Sequence, residues 1–223
     1  MPAIASESVA IPLGSGQHID ADLHVPERAS GLIVFAHGSG SSRFSSRNRR
    51  VAATLHERGF GTLLVDLLTR EEERVDVHTA EYRFDIERLA TRVVAATDWI
   101  HDREQLLLLP IAYFGASTGA AAALIAAAER PYSVDAVVSR GGRPDLAGAA
   151  LRRVKTPTLL IVGQNDQPVI EMNETAKAQM CAADVELTIV PGATHLFEEP
   201  GTLEQVEQLA SEWFTRHLRR PLT

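Results

Sequence analysis

The sequence predicts an α/β chain: a doubly wound, mostly parallel sheet with helices on both faces and an antiparallel hairpin at its N-terminal end. Three observations carry this expectation. Six short runs rich in Val, Ile and Leu recur along the chain, helical periodicities fill the gaps between them, and residues 17–25 alternate apolar and polar instead. Continuous apolar runs suit strands buried on both faces of a parallel sheet. Strands alternating with helices imply right-handed crossovers within such a sheet.

Taken in order, residues 17–25 read as a half-buried strand, residues 3–11 as its partner, and the Gly14–Gly16 region as the hairpin connection. The buried strands follow at Leu32–Ala36, Thr62–Val65, Ile111–Phe114, Val134–Ser139, Thr158–Val162 and Glu186–Val190. Helices are expected at Arg47–Arg58, Phe84–His101, Ser117–Glu129, Pro168–Cys181 and Leu203–Leu218. In the second of these Ile86, Leu89, Val93, Val94 and Ile100 form one apolar stripe. The segment from Arg140 to Thr156, with Gly141, Gly142, Pro144 and Gly148, leaves room only for a short helix near Leu146–Leu151. No insertion is long enough for a lid domain, so residues 1–223 read as one domain with an open site.

Composition excludes several classes. A net charge of −7 argues against a nucleic-acid partner, which needs a basic face. One cysteine, Cys181, rules out an internal disulfide framework and a cysteine-cluster zinc site, and reads as a packing residue at a helix end. The longest apolar stretches, Leu106–Phe114 and Ala120–Ala128, are nine residues each, whereas a membrane-spanning helix needs about 20. Residues 1–16 lack the basic and apolar regions of a signal peptide, which makes the cytoplasm the expected compartment.

Chemistry enters at Gly115-Ala116-Ser117-Thr118-Gly119, between an apolar strand and an alanine-rich helix. This G-x-S-x-G pattern in a strand–turn–helix setting is a nucleophile elbow: a strained turn lifts the Ser117 hydroxyl above the sheet, next to the free N–H groups of a helix start. A turn of small residues that merely packs a helix on a strand is the competing explanation. A serine hydroxyl needs a base, and His195 follows the last strand at the end of the sheet where ligands gather. An imidazole base needs a carboxylate on its other nitrogen. Asp166 directly follows the strand Thr158–Val162, whereas Asp135 and Asp184 stand at strand beginnings, the wrong end. The order Ser117, Asp166, His195 is that of nucleophile, acid and base in the α/β-hydrolase chain order.

The loop His37-Gly38-Ser39-Gly40-Ser41-Ser42 follows the first buried strand, where the Ser39 N–H is expected to join that of Thr118 as an oxyanion donor. His37 is expected to brace this loop by hydrogen bonds. Arg140 and Arg143 follow a strand at the same end, and either could hold a substrate carboxylate in a bidentate contact; a loop arginine that anchors local carbonyls or pairs with Asp145 is the alternative. The cluster Arg43, Arg47, Arg49 and Arg50 reads as a solvated helix face.

These motifs, with Ser139-Arg140-Gly141-Gly142-Arg143-Pro144-Asp145 and His195-Leu196-Phe197-Glu198-Glu199-Pro200-Gly201, resemble the dienelactone hydrolase-like branch of the α/β-hydrolase superfamily along nearly the whole chain. The resemblance implies the α/β-hydrolase fold and the hydrolase class. Dienelactone hydrolases proper use a cysteine where this chain has Ser117 and a glutamate where it has Gly38. Both departures favour a plain serine esterase mechanism acting on a small ester or lactone, with no cofactor or metal. Two other functions share these residues: acyl transfer to an acceptor such as an alcohol or peroxide, and ligand binding without catalysis on a hydrolase scaffold.

Overall fold

In a computed structural model, which describes residues 4–218, eight strands form one sheet. They are β1 (Ile4–Gly14), β2 (Gln17–Val25), β3 (Leu32–Ala36), β4 (Gly61–Val65), β5 (Ile111–Ala116), β6 (Ala136–Arg140), β7 (Thr158–Gly163) and β8 (Val185–Val190). Their spatial order is β1-β2-β4-β3-β5-β6-β7-β8. Strands β1 and β2 pair antiparallel, as do β2 and β4, and every other pairing is parallel. Between them lie α1 (Ser46–Glu57), α2 (Arg70–Thr79), α3 (Ile86–His101), α4 (Thr118–Glu129), a kinked 3-10 segment (Pro144–Arg153), α5 (Gln167–Gln179) and α6 (Thr202–His217).

The period-two geometry of a strand divides the core into two layers. From β3, Leu32, Val34 and Ala36 join the cluster that also contains Leu89 and Val93 of α3 and Leu124 of α4. Ile33 and Phe35 point the other way, to Val51 and Leu55 of α1 and Trp213 and Phe214 of α6. Helix α4 lies at the centre, with every residue from Thr118 to Ala128 buried. Its run of alanines lets neighbouring elements approach on all sides, and a helix that is apolar all round belongs in such a position.

The predicted architecture is the one observed, with local differences. The N-terminal hairpin is longer than expected: β1 runs to Gly14, and the turn is Ser15–Gly16 with φ of +50° and +76°. Positive φ at both central residues matches the right-handed twist of the flanking strands. Residue 3 of the expected first strand lies outside the described residues. Helix α2 was not expected, because its sequence, Arg70-Glu71-Glu72-Glu73-Arg74-Val75-Asp76-Val77-His78-Thr79, has no apolar stripe. Its local signal was a capping box: Thr69 accepts the Glu72 N–H while Glu72 accepts the Thr69 N–H. The single buried residue of α2 is Asp76, whose carboxylate accepts the N–H groups of Tyr82 and Arg83 and the Arg83 Nε at 2.7–2.9 Å.

Cys181 corrects another expectation. It is exposed, in the connection between the end of α5 at Gln179 and the start of β8 at Val185. Among the described residues no helix is long and apolar enough to cross a membrane.

Candidate active site

Strand β5 ends in the elbow. Ser117 has φ +50° and ψ −122°, a conformation that costs a non-glycine residue roughly 1–3 kcal/mol. The two glycines of the motif permit the close approach that holds this turn. A methyl group at Gly119 would run into the carbonyl oxygens of Ala36 and His37, and one at Gly115 into the Ala120 backbone. The turn is fastened further by the Ser117 N–H to the Arg140 carbonyl (3.3 Å) and the Arg143 N–H to the Ser117 carbonyl (3.1 Å).

Asp166 follows β7 and His195 follows β8. The two loops are tied together by the Asn165 N–H to the Ala193 carbonyl (2.9 Å) and the Asn165 side chain to the Gly192 carbonyl (3.0 Å). Across this junction His195 Nδ1 lies 2.6 Å from Asp166 Oδ2. The turn behind the imidazole is braced by Glu199, which accepts the Thr194 N–H and hydroxyl. Those two bonds hold the Glu199 carboxyl below the usual carboxylate range.

Ser117 and His195 line one cavity of about 250 Å³, together with Gly38, Ser39, Asn48 and Arg140. The β3–α1 loop forms its roof. Gly38 sits so close that a Cβ there would stand 3.1 Å from the Ser117 Cβ. A side chain at this position would press on Ser117. The Ser39 N–H, expected to face an oxyanion, donates to Thr118 Oγ1 at 2.9 Å.

The two arginine candidates separate. Arg143 does not line the cavity: its guanidinium makes a two-pronged contact with Asp145 at 2.9 and 2.7 Å. Two residues apart at the start of the 3-10 segment, they meet locally, which is the pairing the sequence offered as the alternative to substrate binding. Arg140 is only 6% exposed, its Nε has no hydrogen-bond partner, and its guanidinium makes a long contact with Asn48 Oδ1 at 3.5 Å. Burial, with Arg47 alongside, pushes its pKa down to about 10. A buried cation without a carboxylate is costly, and Arg140 faces the cavity that holds Ser117.

Sequence reasoning did not single out Asn48 or Ser45. The Ser45 side chain caps α1 by accepting the Asn48 N–H, which turns Arg47 and Asn48 of the first helical turn toward the cavity. A helix start directly after a strand's carboxyl end was the available signal. The remaining basic cluster is held by acids: Arg43 by Asp22 and Asp66, Arg49 by Asp22, Arg50 by Glu204 and Glu207. Among the described residues no group of three or more His, Cys, Asp or Glu could hold a metal ion.

A model of the dienelactone hydrolase family matches residues 19–219. The chain belongs to this family. The crystal structure of a dienelactone hydrolase from Anabaena variabilis is 55% identical, covers 96% of this chain and 99% of its own, and superposes with a TM-score of 0.94. Est1E from Butyrivibrio proteoclasticus (18% identity, 94% of this chain, 98% of its own, TM-score 0.75) and an esterase of Pyrococcus furiosus (17%, 96%, 93%, 0.76) share the fold. A Mycobacterium tuberculosis protein provisionally named a phosphoribosyl transferase is 54% identical over 220 residues. These make up 99% of this chain and 48% of that protein, so the chain spans about half the length of this curated relative.

Proposed function

We propose that the chain is a serine hydrolase that cleaves a small ester or lactone bearing an anionic group, through an acyl-enzyme on Ser117. The Ser117 hydroxyl attacks the carbonyl carbon while His195 Nε2 takes its proton. Asp166, on Nδ1, holds the ring in the required tautomer and offsets the charge of the imidazolium. The N–H groups of Ser39 and Thr118 stabilise the oxyanion. The tetrahedral intermediate collapses, His195 returns the proton to the leaving alkoxide, and the same imidazole then activates water to release the acid. Arg140 receives the substrate's anionic group, which neutralises its unpaired charge.

One observation carries this proposal: Ser117, strained at the elbow, and His195, bonded to Asp166, line the same small cavity. The relative from Mycobacterium tuberculosis bears the name of another chemistry. The dienelactone hydrolase match lies within the stretch shared with it. The test is Ser117→Ala with an activated ester. Turnover should fall on the order of 10⁶-fold, and a fluorophosphonate should leave a mass adduct on the unaltered chain and none on the variant. Undiminished turnover in a folded Ser117→Ala ends the proposal.

A further inference from the structure

The oxyanion donor of the β3–α1 loop belongs to one peptide unit, Gly38–Ser39, and both of its polar atoms are held by side chains. Its N–H donates to Thr118 Oγ1 at 2.9 Å. Its carbonyl accepts from His37 Nδ1 at 2.8 Å and from the Ser41 N–H at 3.2 Å. The direction of the His37 bond follows from the far side of the ring, where Nε2 accepts the Leu67 N–H at 3.1 Å. Nε2 therefore carries no proton, and the neutral ring bears it on Nδ1. His37 is 8% exposed, and burial holds its pKa below the usual histidine range.

This peptide needs such fastening. It begins at Gly38, and Gly40 follows one residue later with φ +67°, so the backbone restricts its plane weakly. Rotated by half a turn, it would present a carbonyl oxygen to the developing oxyanion in place of an N–H.

We propose that Thr118 and His37 are positioning residues that clamp the Gly38–Ser39 peptide in its donating orientation before substrate arrives. Thr118 then has two parts. Its backbone N–H, at the first position of α4, is one oxyanion donor, and its hydroxyl holds the other in place. In the empty site the hydroxyl is the acceptor that the Ser39 N–H would otherwise lack. When the tetrahedral intermediate forms, its charged oxygen is the stronger acceptor and draws the N–H from the hydroxyl without backbone rearrangement. The proposal rests on the acyl-enzyme reading above.

The experiment compares Thr118→Val, which keeps the shape and loses the hydroxyl, with Thr118→Ser, which keeps the hydroxyl. With p-nitrophenyl acetate, Thr118→Val should lower kcat about 10- to 100-fold, short of the 10²–10³ that follows outright removal of an oxyanion donor. KM should stay within about threefold, since the clamp acts on the transition state. Thr118→Ser should retain most of kcat. Amide hydrogen exchange at Ser39, slow in the unaltered chain, should speed up at least about tenfold in Thr118→Val, as a lost protecting bond requires. Thr118→Ala carries both readouts if the valine variant does not fold. Wild-type kcat and Ser39 exchange in Thr118→Val overturn the proposal, and so does a Thr118→Ser that loses as much as the valine variant. A dead Ser117→Ala beside an unimpaired Thr118→Val sinks the clamp alone; an active Ser117→Ala removes the acyl-enzyme and the clamp together.

Discussion

The imidazole of His195 and the carboxylate of Asp166 meet at 2.6 Å although 29 residues separate them along the chain. The bond exists because parallel β7 and β8 end side by side and their loops are laced together at Asn165. A neutral amide in place of the carboxylate would offer Nδ1 the wrong partner and select the wrong tautomer. Asp166→Asn should therefore lower kcat for an activated ester by on the order of 10⁴ at neutral pH, with an unchanged thermal midpoint. A loss below tenfold in steady-state assays would remove Asp166 from the catalytic set.

Arg140 concerns the balance of stability against recognition. Its guanidinium is buried without a counter-charge, so Arg140→Met should raise stability by about 1–2 kcal/mol in urea unfolding. The same change should raise KM for an ester carrying a carboxylate about 10- to 100-fold, the worth of hydrogen bonds to a charged group. A neutral ester of equal size should bind as before. Equal effects on both esters would show that Arg140 shapes the cavity and does not read charge.

Gly119 tests the elbow from the backbone side. A methyl group there meets the fixed carbonyls of Ala36 and His37, and no side chain can move aside to accommodate it. Gly119→Ala should cost about 3 kcal/mol, the upper range of overpacking in a tight core. The check is chemical denaturation beside Gly192→Ala, whose added methyl meets nothing. Any cost of that control reports only the strain of its positive φ.

A pair of histidines away from the site sets a pH dependence. His24 and His56 stack with ring centroids 3.9 Å apart, and His56 Nε2 bonds the Thr62 hydroxyl at 2.7 Å. Burial, and then repulsion from His24, lowers the pKa of His56 to about 4 from its ordinary 6.5. Between these values the unfolded chain binds more protons than the folded one, so stability falls as pH drops from about 6.5 toward about 4. His56→Gln retains a partner for Thr62 and should flatten that slope in denaturation curves taken across this window. An unaltered slope would assign the acid sensitivity to other groups.

Much of this was legible in the chain. The parallel strands stand out because burial on both faces demands uninterrupted Val, Ile and Leu, and the elbow because only small residues fit around Ser117. Helix α2 was not legible by periodicity: it buries only Asp76, so no apolar stripe betrays it, and its capping box is a two-residue signal. Cys181 and Arg143 show the limits of residue type. Residue type suggested packing for Cys181, while exposure beyond the end of α5 decided otherwise; for Arg143 it left substrate binding and pairing with Asp145 both open, and the structure shows the pairing. The diversion of the Ser39 N–H to Thr118 could not be foreseen, since it joins a loop to a helix start 79 positions away.

The sequence by itself determined the succession of the eight strands, every α-helix but α2, and the small-residue turn around Ser117, because each depends on residues close together along the backbone. Only the tertiary structure decided which arginine is left unpaired beside Ser117, and which side chains grip the Gly38–Ser39 peptide. Those outcomes depend on desolvation and hydrogen-bond competition among groups that become neighbours after the sheet has formed. Arg140 and Arg143 carry the same guanidinium; one finds a carboxylate two residues away, and the other is buried at the end of a strand with none in reach.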